Sequence, residues 1–101
     1  MLYLRRISGN SMLPTLHNGD YIVALRRVFT TYKCNEIIIV KHTQYGEIIK
    51  RIAHIDANNQ YWLSGDGCDS LSSQAMGAIP KDKVLGALLW HIASQWLSII
   101  K

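Results

Sequence analysis

A chain of 101 residues can build one core but not two, which excludes a separate regulatory domain within it. Nearly half of the residues are apolar and the mean hydropathy is close to zero, so the chain is expected to fold as a globular domain over residues 1–101 rather than stay disordered. The formal charge of +4 is spread over Arg5-Arg6, Arg26-Arg27, Lys50-Arg51 and single lysines, with no basic stripe interleaved with aromatics, so no nucleic-acid partner is expected.

Cys34 and Cys68 lie too far apart for a Cys-x-x-Cys motif, and with four scattered histidines they show no metal-ligand spacing. They read as free thiols, with a disulfide as the alternative, and no metal or organic cofactor is expected. The opening residues MLYLRRISG bring in charge after four positions and lack the apolar run of a signal peptide or membrane anchor. A cytoplasmic location follows as an expectation.

The stretch from Ser8 to Asp20, SGNSMLPTLHNGD, holds Ser11 between the permissive Gly9 and the rigid Pro14 and closes on a Gly19-Asp20 turn. Such a frame can present a serine in one fixed geometry. It also has the composition of an ordinary polar loop. The run DYIVAL, Asp20 to Leu25, predicts a buried strand, and Val28 to Asn35 a loop or ragged edge. EIIIVKH, Glu36 to His42, is rich in β-branched residues and predicts a strand. After the turn at Gln44-Tyr45-Gly46, the residues Gly46 to Asp56 predict its antiparallel partner.

Alternation along that second strand puts Ile48, Lys50, Ile52 and His54 on one face, so Lys50 projects between two isoleucines. Burial among apolar side chains would lower its pKa and leave a neutral amine able to act as a base. The alternative is a stem lying along the sheet with its head in water.

A short strand is expected from Gln60 to Ser64, then a long loop, GDGCDSLSSQAMG, from Gly65 to Gly77. In the final segment the polar residues His91, Ser94, Gln95, Ser98 and Lys101 recur at helical spacing, which predicts a short C-terminal helix; Val84 to Trp90 reads equally as a last strand. The apolar side of this segment, with Trp90 and Trp96, suits packing on the sheet, and a peripheral membrane contact or a dimer surface are its alternatives. The fold expected is mainly β, a single small domain of antiparallel hairpins.

In their order, three motifs resemble those of the type I signal peptidase family. They are Gly-Asn-Ser-Met-Leu-Pro-Thr-Leu followed by Gly19-Asp20; Ile49-Lys50-Arg51-Ile52; and Gly65-Asp66 through Ser70 and Ser73 to Gly77, then Ile79-Pro80 and Val84-Leu85-Gly86. The resemblance implies a signal-peptidase-like catalytic core with a Ser-Lys dyad: Ser11 as nucleophile, Lys50 as general base and Ser70 holding the lysine amine. The Ser11 backbone N–H would be one donor of the oxyanion hole, and Met12 would line the substrate pocket. Secretory members take a second donor from a serine two positions before the nucleophile. That position is Gly9 here, which leaves Ser8 or Asn10 to substitute.

Two further departures stand out. The aspartate and arginine that usually follow the serine of the last motif correspond to Ser72 and Gln74, so the loop needs other support. The membrane anchors and large extra β domain of secretory members have no counterpart, which implies a minimal core.

Small soluble members that mature nickel superoxide dismutase, by removing an N-terminal extension from the precursor, are similar in size and motif spacing. The self-cleaving repressors of the SOS response share the dyad and a Ser-Gly-Asp-Ser-Met motif, but only ten residues precede Ser11 and none forms an Ala-Gly or Cys-Gly bond, so cleavage in trans is expected. The rival readings are an inactive family member and a basic β-domain, either one serving as a binding module.

Overall fold

The computed structural model describes residues 1–67 and 76–94. Six strands form one sheet: β1 (Leu2–Arg6), β2 (Tyr21–Leu25), β3 (Ile37–His42), β4 (Gly46–Ile55), β5 (Tyr61–Ser64) and β6 (Val84–Ile92), the last entered through a 3-10 turn at Lys81–Lys83. Their order across the sheet is β1-β2-β6-β3-β4-β5 and every pairing is antiparallel. The fold is therefore mainly β, as expected. β1, at one edge, is the strand that the sequence reading leaves out: its basic Arg5-Arg6 end and five-residue length hide the alternation.

β3 and β4 form the hairpin expected from EIIIVKH and GEIIKRIAHID, with Ile39 opposite Ile49 and Ile38 opposite Lys50. β6 fills the gap between β2 and β3 and joins the two hairpins into one sheet. The helical stripe expected from His91 onward is corrected in its first part, because His91 and Ile92 complete β6, opposite Ile22 and Tyr21. Pairing to β2 satisfies their backbone groups there, and the strand alternative for Val84 to Trp90 is the one realised. Gln95, Ser98 and Lys101 lie outside the described residues.

Each face of the sheet carries its own apolar cluster. On one, Ile7, Met12, Leu16, Ile22, Ala24, Ile37 and Ile39 close together. The other is built on Ile38, Val40, Ile52, Leu63 and Ala87, covered by Tyr32, Met76 and Ile79. The first cluster positions the site, because Met12 and Leu16 belong to the loop between β1 and β2. Burying two large side chains from a polar loop, each contributing about 1.5–3 kcal/mol, presses that loop onto the sheet.

Candidate active site

The loop carrying Ser11 is pinched at its neck by two backbone hydrogen bonds. The Ile7 N–H donates to the Asp20 carbonyl at 2.7 Å and the Gly19 N–H to the Ile7 carbonyl at 2.8 Å. Inside the neck, Leu13 N–H donates to the Asn10 carbonyl and Leu16 N–H to the Met12 carbonyl, which coils the chain through one tight turn. Gly9 sits at φ +91°, a conformation that side chains disfavour, and its N–H donates to the Asn18 side chain at 3.1 Å. Ser11 is half-buried at the lip of this coil and Met12 beneath it is fully buried.

Asp20 anchors the base of the loop. Its buried carboxylate accepts from the Ser94 N–H at 2.8 Å, the His17 N–H at 3.0 Å and His91 Nε2 at 2.7 Å. Burial alone would raise its pKa, but the hydrogen bonds from Ser94, His17 and His91 outweigh that and hold it well below the usual carboxylate range.

Lys50 is the other buried charge-bearing group of interest. It is 4% exposed, and among the described residues its side-chain amine has neither a hydrogen bond nor an ion pair. Burial pushes its pKa down, and no neighbouring charge contributes. The solvated-head alternative is thus not the state of this lysine.

Ser11 and Lys50 line the same cleft, of about 240 Å³. One wall runs from Arg5 to Gly9 and the other from Glu47 to Lys50, with Met12 between them. Arg5 and Glu47 reach across the mouth as an ion pair, their second contact at 3.4 Å. Ser8 lines the cleft; Asn10 does not, and its carbonyl is committed to the loop's internal turn. Ser70 lies outside the described residues, as do Ser72, Gln74 and Cys68. Cys34 is an exposed free thiol.

A second network ties all three sequence motifs together, although neither composition nor spacing assigns it a role. Arg51 donates through Nε and a terminal nitrogen to the two carboxylate oxygens of Asp66, at 2.8 and 2.7 Å. Thr15 donates its hydroxyl to the same carboxylate at 2.6 Å, and the other arm of Arg51 reaches the Asn35 carbonyl at 2.7 Å. Arg51 holds the Asp66 pKa down, against burial, with Thr15 adding to the effect. The support that the last motif needs is therefore supplied, at its start, from the strand of Lys50. The only signal in the sequence is position: Arg51 follows Lys50, Asp66 follows Gly65 and Thr15 follows Pro14.

Gly67 extends this support to the serine itself. Its N–H donates to the Ser11 carbonyl at 2.9 Å, and a Cβ there would lie 2.9 Å from the Asn10 carbonyl oxygen. Only glycine permits so close an approach of the two backbones.

Among the described residues, no group of three His, Cys, Asp or Glu side chains could hold a metal ion. Nor is any helix among them long and apolar enough to cross a membrane.

Ser11, on its loop, and the desolvated Lys50 thus border one cleft. Residues 1–68 match the family described as Peptidase S24-like, and the chain belongs to that family. The protein is thus of a peptidase kind, in line with the resemblance carried by its motifs. A search of curated proteins gave no match.

Proposed function

We propose that the protein is a Ser-Lys endopeptidase that removes an N-terminal leader or pro-segment from a precursor protein. The observation that carries this reading is that Ser11 and the buried Lys50, unpaired among the described residues, border one cleft. A lysine kept out of water without a counter-ion serves no stabilising purpose, since its charged form is costly there. Such a cost is characteristic of groups tuned for chemistry.

In the proposed reaction the neutral Lys50 amine takes the proton from Ser11 Oγ as the oxygen attacks the scissile carbonyl. The oxyanion that forms is met by the Ser11 N–H and, as second donor, by Ser8, which lines the cleft where Asn10 does not. Collapse breaks the C–N bond, and the Lys50 ammonium returns its proton to the departing amine. The resulting ester is then hydrolysed by a water that Lys50 deprotonates, which frees the new carboxyl terminus and regenerates Ser11. Ser70 is assigned to hold the lysine amine. Met12 forms the floor on which a small substrate side chain would sit. No metal or organic cofactor takes part.

The substrate to try first is a nickel-type superoxide dismutase precursor carrying its N-terminal extension. Incubated with such a precursor, the protein should release the mature chain, and Ser11→Ala and Lys50→Ala should each reduce the rate by about a thousandfold or more. Equal processing by either variant would refute the dyad and leave the inactive, binding-module reading in its place.

A further inference from the structure

The serine loop covers only one face of β1 and β2, where Ile22 and Ala24 pack under Ile7 and Met12. The opposite face of these strands is apolar, and nothing among the described residues covers it. Residues opposite each other in a sheet share a face, and the register places Leu2 beside Leu25, and Leu4 beside Val23, which in turn lies beside Trp90 of β6. Leu4 and Trp90 are each 61% exposed and Leu2 is 56% exposed. Further along the sheet the same face is covered by Tyr32, Met76 and Ile79, so its most exposed apolar side chains lie at the β1 end. A contiguous apolar patch with a polar rim marks a contact surface rather than scattered surface leucines.

The rim is cationic. Arg6, opposite Tyr21 at one end, lines the Ser11 cleft instead and is not part of this rim. At the other end Arg26 and Lys81 line an open depression with Met1, Val28 and a single acidic residue, Asp82. Beside them Phe29 stands on its loop fully exposed, at 99%. Arg27 is not part of this charge, because Glu36 neutralises it.

We propose that this face of β1, β2 and β6, with the Phe29 loop, docks on an anionic lipid bilayer. Phe29, Trp90, Leu4 and Leu2 would enter the headgroup boundary while Arg26 and Lys81 meet lipid phosphates. Interfacial binding grows with buried apolar area and with cations facing anionic lipid, and this face supplies both. A second copy is the weaker fit, since stacking two such faces would bring like-charged rims together. The proposal is independent of the peptidase reading. It places the membrane contact on the sheet, with Trp90 as the part that the C-terminal segment contributes.

The test is co-sedimentation of the full chain with phosphatidylcholine vesicles with and without phosphatidylglycerol. Binding should require the anionic lipid and weaken with salt. A Leu4→Ser, Trp90→Ser double variant should lower the partition coefficient about tenfold or more. Arg26→Glu with Lys81→Glu should lower it by at least about fivefold per charge. Both variants change exposed side chains, and circular dichroism checks that they fold. Three results would overturn the proposal: no binding to anionic vesicles, binding unchanged in both variants, or a dimer in sedimentation equilibrium that the Leu4, Trp90 variant dissolves while vesicles bind neither form.

Discussion

Asp20 and Lys50 are both buried ionisable groups, and they illustrate opposite uses of burial. Asp20 is compensated by two backbone N–H groups and an imidazole, so its charged form is favoured inside the protein. Lys50 has no such compensation among the described residues, and burial disfavours its charged form. The carboxylate holds the loop, and the amine is pushed by burial toward its neutral form. A carboxylate whose native pKa is lowered contributes stability that is complete above its unfolded value, about 3.9, and lost as pH falls through the native one. Asp20→Asn should therefore cost about 2 kcal/mol in urea unfolding at pH 7, the scale of charge-assisted hydrogen bonds. The gap to wild type should narrow as the pH drops below about 4, because the wild type loses that contribution and the variant never had it.

At the scale of elements, the site is held by β4, by the coil between β1 and β2, and by the start of the loop after β5. The Arg51, Asp66 and Thr15 network is their common fastening. Asp66→Asn removes the charge that pairs with Arg51 while keeping the side chain's shape. It should lower the processing rate by about tenfold or more, through misplacement of Ser11, and leave the circular dichroism spectrum of the sheet intact. A rate equal to wild type would show that Gly67 and the loop neck suffice.

The same elements show what the sequence made legible. β3 and β4 are evident from their β-branched runs, and the facing of Lys50 follows from strict alternation. The position of Ser11 is legible from Gly9 and Pro14. β1 is not, because Leu2 and Leu4 face outward and Arg5 inward, the reverse of the usual sign of burial. Nor is the fate of His91, whose spacing from Ser94 suits a helix but whose backbone is claimed by β2 across a long sequence separation. The pairing of Arg51 with Asp66 is a tertiary fact of the same kind: fifteen residues apart, the two meet because β4 and β5 are adjacent, with Arg51 opposite Ser64.

For the whole molecule, the two faces of one sheet differ in what covers them. On one the serine loop is pressed down by Met12 and Leu16; the other is partly core and partly an apolar surface, with a basic rim, that none of the described residues covers. The state of Lys50 is a property of this assembly, since no single neighbour lowers its pKa and the packed sheet as a whole excludes water from it. Its titration is therefore the most direct test of the dyad. The Lys50 side-chain carbon shift should be followed by NMR through a pH series, with Lys50→Arg as the assignment control. A midpoint clearly below the reference of about 10.4 is the predicted result, since only then is the neutral amine available to Ser11 at working pH. A midpoint at the reference value would mean a solvated ammonium and would contradict Lys50 as the general base.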